Sequence, residues 1–152
     1  MHTELHLRAE FLNALTHGVG ALLSLIGGVT LITMASLWGS KWQLISAIVF
    51  SLSLIGLYTS STLYHSTHEP RVKGRLQILD HCMIYVLIAG SYTPFTLIAM
   101  REDGGWLIFG ITWTLALIGI IFKLFYTGRF EVLSTLIYLG MGWLVIFAAG
   151  PM

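Results

Sequence analysis

Long apolar runs separated by short polar stretches fill most of this chain. Five runs carry at most one charged residue each, and they cover residues 18–38, 42–64, 78–100, 106–122 and 132–152. The apolar positions are continuous rather than alternating, which favours helices over the strands of a barrel. Because a helix rises about 1.5 Å per residue, runs of about 20 residues cross a hydrocarbon core of about 30 Å. The pattern predicts an all-α, polytopic transmembrane helix bundle with about five spans in a single membrane domain, residues 1–152.

The composition supports lipid as the solvent around these runs. Hydrophobic residues make up 56% of the chain and charged residues 10%, whereas a soluble domain carries about 25% charged residues. The net charge of +1 argues against nucleic acid as a partner, because phosphate binding needs a concentrated basic face. Cys82 is the single cysteine, which excludes an intrachain disulfide and a four-thiolate metal site. Membrane lipids are the expected partners, and self-association into a homo-oligomer is left open.

The basic residues predict the orientation of the bundle. With the N-terminus in the cytoplasm, six of them lie inside, and these are Arg8, Arg71, Lys73, Arg75, Lys123 and Arg129. The outer loops then hold Lys41 and Arg101. Trp38, Trp42 and Trp106 fall at the outer boundary, where interfacial aromatic residues concentrate. The positive-inside rule therefore predicts a cell-membrane protein with a cytoplasmic N-terminus.

Several polar residues lie where burial in the membrane costs free energy. His17 opens the first span, His65 ends the second, and Asp80 lies just inside the third, so all three converge near the cytoplasmic face. Ser61 precedes His65 by four residues and shares its helix face. Imidazoles and a carboxylate suit zinc, and a carboxylate can accept the proton of a metal-bound water. Glu10 either anchors the first span or lines this cluster.

The alternative is that these groups are interfacial residues solvated by headgroups and water at the helix ends, where burial costs little. Spacing alone does not decide between the two interpretations.

The same residues resemble the hemolysin III family, which is grouped with the progestin and adipoQ receptors. The stretch ExxNxxTH resembles the opening motif of that family, and it consists here of Glu10, Asn13, Thr16 and His17. SSTLYHS and LDHCMIYVLIAGSYTP resemble its second and third helices. The resemblance implies a seven-helix bundle with a zinc site near the cytoplasmic face. It makes His65 a metal ligand, Asp80 the group that holds or activates the metal-bound water, and Ser61 its support.

One feature departs from the family pattern. The family supplies two further histidine ligands, spaced HxxxH, from its seventh helix, whereas the last histidine here is His81. We therefore expect a fragment or a truncated product that ends after the fifth helix, with an incomplete zinc site.

The resemblance implies a zinc-dependent lipid-amide hydrolase or a derived regulator of membrane homeostasis, and the incomplete ligand set predicts an inactive enzyme in this form. The alternative is a membrane-perturbing, hemolytic protein without enzymatic activity. A small transporter is least favoured, because the sequence lacks a midplane charge and paired broken helices.

Overall fold

The computed structural model describes residues 2–127 and 130–148, and every regular element in these ranges is helical. The elements are α1 (His2–Trp38), α2 (Lys41–Ser66), α3 (Pro70–Pro94), a π-helical segment (Phe95–Ala99), α4 (Gly105–Tyr126) and α5 (Glu131–Ala148). The first four helices are long and apolar enough to cross a membrane. The predicted fold class, an all-α bundle of membrane-spanning helices, is confirmed.

The helices begin earlier than the apolar runs, because caps set their starts. Ser40 caps α2 through a reciprocal pair with Gln43, in which each side chain bonds the other residue's backbone N–H. Glu69 caps α3 by accepting hydrogen bonds from the N–H groups of Arg71 and Val72, and Pro70 takes the first helical position. Such caps satisfy the free N–H groups of the first turn. As a result α3 starts eight residues before the predicted span 78–100.

The first predicted span lies wholly within a helix, whereas the last predicted span extends beyond the end of one. The span 18–38 forms the second half of α1, because the polar N-terminal segment is helical as well. The span 132–152 begins within α5, and its residues 149–152 lie outside the described residues.

Neighbouring helices in sequence pack antiparallel. Contacts between α1 and α2 pair Gly28 with Ser51 and Glu10 with His65, so residue numbers rise along α1 in the direction in which they fall along α2. The same relation holds between α2 and α3, and between α3 and α4. Helix α5 contacts α3 and α4, and it runs parallel to α3, since Tyr138 Oη donates to the His81 carbonyl and Tyr92 Oη to the Gly142 carbonyl.

The residues buried between helices are small and polar, while large apolar side chains face outward. Eleven of the described buried residues are polar or charged, against seven hydrophobic ones. Exposed leucines, isoleucines and phenylalanines cover the outer faces of all five helices. This distribution is the reverse of that in a soluble protein, and it suits a bundle in lipid, where small residues let helices approach closely. The chain is a multi-pass membrane protein.

Helix α3 changes its winding at Pro94. Proline has no N–H group and its ring crowds the preceding turn, and the chain continues past Pro94 with wider π-helical hydrogen bonds. The Met100 N–H donates to the Phe95 carbonyl at 2.9 Å, five residues earlier. Pi-helical turns inside longer helices often mark functional sites.

Candidate functional site

Five polar side chains meet where one end of α1, α2 and α3 come together. We call Glu10, His17, Ser61, His65 and Lys73 the polar cluster. Glu10 and His17 lie on α1, Ser61 and His65 on α2, and Lys73 on the first turns of α3. The sequence predicts that His17, Ser61 and His65 lie at one depth and leaves Glu10 open, and the structure brings all four into one cluster.

Glu10 and Lys73 form the ionic centre of the cluster. Lys73 Nζ donates to Glu10 Oε2 at 2.7 Å, and it also donates to the carbonyls of Tyr64 and Thr67 at 3.3 Å. It lies 4.7 Å from the centre of the Tyr64 ring. The Glu10 and Lys73 side chains are 15% and 26% exposed, so each charge is partly withdrawn from water. A cation at the last carbonyls of α2 also complements the negative end of that helix. Lys73 thereby connects all three helices.

His65 is oriented by the same carboxylate. Its Nδ1 lies 3.1 Å from Glu10 Oε2, and the side chain is 15% exposed. Because a carboxylate accepts and does not donate, Nδ1 carries the proton in this contact. In the neutral ring the other nitrogen, Nε2, then presents a lone pair. Such a nitrogen can accept a proton or bind a metal.

The second hydrogen-bonded pair in the cluster joins His17 and Ser61. His17 Nδ1 and Ser61 Oγ lie 2.5 Å apart, and Ser61 is buried. The His17 ring packs edge-on against His65, with 5.6 Å between ring centres, and against Tyr58 at 5.9 Å. Ser61 and His65 lie four residues apart on one face of α2. This face therefore carries the His65 ring and also bonds the His17 ring of α1 through Ser61.

Asp80 lies deeper along α3 than Lys73 and at about the level of Ser61, since antiparallel α2 and α3 pair Gly56 with Met83 and Ser53 with Gly90. It follows Lys73 by seven residues, about 10 Å along the helix axis, and it is partly buried. Within the described ranges, no hydrogen bond or ion pair joins Asp80 to Glu10, His17, Ser61 or His65. Its role as a base remains a prediction.

A groove of about 530 Å³ opens beside the cluster. Its lining combines polar residues, Glu10, His65, Ser66 and His68, with apolar residues of α1, Leu7, Phe11, Ala14 and Leu15. Ligand sites of this size typically combine an apolar lining with a few polar groups. An amphipathic molecule suits such a lining.

Zinc, the metal that the resemblance implies, needs more ligands than these helices bring together. Catalytic zinc sites normally have three protein ligands. In the part of the chain that the structure describes, no three His, Cys, Asp or Glu side chains lie close enough to hold a metal ion. The described residues do not complete a zinc site.

Comparisons with known proteins assign the chain to a family. The family model described as "Haemolysin-III related" matches residues 5–152. The chain belongs to the haemolysin III family.

Individual relatives agree with this assignment. The chain is 48% identical to the "Hemolysin-3 homolog" of Bacillus subtilis (strain 168) over 96% of its own length and 68% of that protein. It is also 48% identical to "Hemolysin-3" of Bacillus cereus, over 95% of its length and 66% of that protein. A human "Monocyte to macrophage differentiation factor" is 27% identical over 86% of the chain and 56% of that protein. The chain thus spans about two thirds of the bacterial relatives. No solved structure matches it.

Lys73 is the member of the polar cluster that the apolar runs do not predict. In the sequence it contributes only to the predicted orientation, although it precedes Asp80 by seven residues and so lies on the same face of a continuous helix. The start signal Glu69–Pro70 would have extended α3 back to Lys73.

Proposed function

We propose that this protein is a cell-membrane hydrolase that cleaves an amide-linked lipid at the polar cluster, with its N-terminus in the cytoplasm. One observation carries the proposal: the Glu10 carboxylate bonds His65 beside a groove that both apolar and polar residues line. Membership of the haemolysin III family is consistent with it.

His65 and Glu10 supply the elements of acid–base catalysis. A neutral imidazole that donates from Nδ1 to a carboxylate has a more basic Nε2. In the proposed reaction a water oxygen adds to the amide carbonyl carbon while its proton passes to Nε2. The same proton then moves to the leaving nitrogen as the C–N bond breaks, which releases an acid and an amine. Glu10 stabilises the imidazolium that forms in between.

The groove supplies the binding chemistry. Leu7, Phe11 and Leu15 offer apolar surface to a hydrocarbon chain, and the polar end offers charged groups to a headgroup. A lipid with its amide at the boundary between chain and headgroup would place the carbonyl carbon near His65. The basic segment at the start of α3 favours the cytoplasmic leaflet for this end.

Zinc binding at His65 with Asp80 as the base is an alternative proposal that rests on the resemblance, and it replaces the acid–base role of Nε2 because one lone pair serves either a proton or a metal. His65 Nε2 is the candidate ligand, because Nδ1 is bonded to Glu10. Metal content of the purified His65→Ala variant against the unchanged protein tests this proposal separately from hydrolysis, and an equal zinc content in the two would contradict it.

The experiment for hydrolysis uses protein reconstituted into phospholipid vesicles that contain an N-acyl sphingoid lipid. We expect release of fatty acid by the unchanged protein and a loss of at least 100-fold in His65→Ala, the range that general acid–base catalysis contributes. His81→Ala is the control, because the His81 ring bonds the Gln77 carbonyl of its own helix at 2.6 Å. Equal release by the unchanged protein and His65→Ala would overturn the proposal.

A second candidate function is membrane perturbation, which the printed name of the Bacillus cereus relative, "Hemolysin-3", suggests for that protein. A water-filled pore needs a continuous polar face, whereas the exposed faces of the described helices are apolar. Dye leakage from the same vesicles, unaffected by His65→Ala, would favour this second function.

A further inference from the structure

Two cations lie close to one tryptophan ring at the end of the bundle opposite the polar cluster. Lys41 Nζ is 5.4 Å and Arg101 Cζ 4.6 Å from the centre of the Trp42 ring. The two charged groups are therefore at most about 10 Å apart. The Trp42 ring also packs edge-on against Trp106, with 5.2 Å between ring centres. These contacts bring the loop before α4 and the starts of α2 and α4 together.

Neither cation pairs with a carboxylate in the part of the chain that the structure describes. Glu102 and Asp103 directly follow Arg101 and are exposed, yet every ion pair among the described residues involves Glu10, at the other end of the bundle. Two like charges beside one ring repel each other. Because α2 and α4 both begin here, the positive ends of their helix dipoles add to the same potential. The surface around Lys41 and Arg101 is therefore complementary to an anion.

The level of these cations in the membrane indicates which anion meets them. Trp38, Trp42 and Trp106 all lie at this end of the bundle, and tryptophan concentrates at the boundary between hydrocarbon and headgroups. A phospholipid carries its phosphate in the polar layer just outside that boundary. The planar guanidinium of Arg101 can bond two phosphate oxygens at once. The exposed Lys41 side chain is long and flexible enough to reach a further oxygen of the same group.

We propose that Lys41 and Arg101 together bind the phosphate of an anionic phospholipid in the leaflet at this end of the bundle. The Trp42 ring keeps the two cations close to each other through cation–π contacts. A zwitterionic lipid binds more weakly, because Lys41 and Arg101 repel the cation of its headgroup. This site is separate from the polar cluster and does not depend on the proposed hydrolysis.

The experiment uses the amine of Lys41 as the reporter of its own site. The chain has three lysines; Lys73 bonds Glu10 and Lys123 is 1% exposed, so Lys41 is the readily modified one. The acetylation rate of each lysine is measured by peptide mass spectrometry on the protein in neutral detergent micelles, with and without dioctanoyl phosphatidylglycerol. We expect this anionic lipid to slow the acetylation of Lys41 and to leave that of Lys73 unchanged.

Two variants test whether the cations act together. A cation at a membrane surface contributes about 1 kcal/mol to the binding of anionic lipid. Arg101→Gln should therefore need about fivefold more lipid for the same protection of Lys41. Arg75→Gln is the matched control, because it removes an exposed cation from the opposite end of the bundle, and it should leave the protection unchanged. Inorganic phosphate and dioctanoyl phosphatidylcholine should each protect Lys41 less than the anionic lipid does.

The proposal is overturned if phosphatidylglycerol does not protect Lys41, or if Arg101→Gln and the unchanged protein need the same amount of lipid. Equal protection by inorganic phosphate would make a soluble anion the ligand and would also overturn it. Equal protection by phosphatidylcholine would show that lipid covers Lys41 without recognition of its charge, which contradicts the proposal as well.

Discussion

Lys73 Nζ lies 2.7 Å from Glu10 Oε2, and this ion pair joins the first helix to the third across the end of the second. The same Glu10 oxygen accepts the hydrogen bond of His65, so the ion pair and the orientation of the imidazole depend on one carboxylate. The charge on Lys73 keeps Glu10 ionised, and ionised Glu10 keeps the proton of His65 on Nδ1. A structural ion pair therefore sets the chemistry of the neighbouring ring.

The first prediction concerns the stability of this pair. Glu10→Gln and Lys73→Met should each destabilise the bundle by about 2 kcal/mol, because each leaves the partner charge partly buried without its counterion. The double variant should lose less than the sum of the two, since neither charge remains unpaired. Unfolding of the four proteins in mixed detergent micelles measures the coupling. Strictly additive losses would show that the two side chains do not interact.

A second prediction uses two adjacent glycines of α1. A Cβ atom on Gly28 would lie 2.9 Å from Ser51 Cβ, whereas one on Gly27 would meet nothing within 4 Å. Gly28→Ala should therefore separate α1 from α2 and cost about 1–3 kcal/mol. Gly27→Ala should be neutral or stabilising by up to about 1 kcal/mol, because alanine favours the helix. Equal unfolding of the two variants would mean that α1 and α2 do not pack at Gly28.

The third prediction concerns orientation. In a Cys82→Ser background, a cysteine at Glu102 should react with a membrane-impermeant maleimide in intact cells, and a cysteine at Gly74 should react after the cells are opened. Both positions are exposed in loops or helix ends on opposite sides of the bundle. The expectation follows from the basic residues near Gly74, which the positive-inside rule places in the cytoplasm. The reverse labelling pattern would place the polar cluster outside the cell.

The sequence predicts the membrane bundle well, because continuous apolar runs leave helices as the one structure that satisfies the backbone in lipid. It also predicts that His17, Ser61 and His65 lie together and leaves the role of Glu10 open, since ionisable residues at membrane depth are rare and stand out. Lys73 lies outside the predicted third span, because the apolar run begins at residue 78. The helix itself starts at its cap, Glu69.

Other features depend on packing between helices and have no local signal. Ser46, whose Oγ has no hydrogen-bond partner among the described residues, is one of several serines on α2, and Ser53 and Ser60 bond their own helix. Their environments depend on which helix packs against each of them, as α3 does against Ser53 at Gly90. Likewise, the sequence motif that contains Glu10 and His17 does not show that Glu10 contacts His65 while His17 contacts Ser61.

The proposed function depends on Glu10 holding the His65 ring with its proton on Nδ1 and its Nε2 free. Nitrogen-15 spectra of histidine-labelled protein in bilayers, recorded at a pH where the rings are neutral, measure the tautomer of each ring. The His65 signals are identified by their absence in His65→Ala. We expect the Nδ1–H tautomer for His65 in the unchanged protein and a shift towards Nε2–H in Glu10→Gln. Nε2–H in the unchanged protein, or no change in Glu10→Gln, would contradict it.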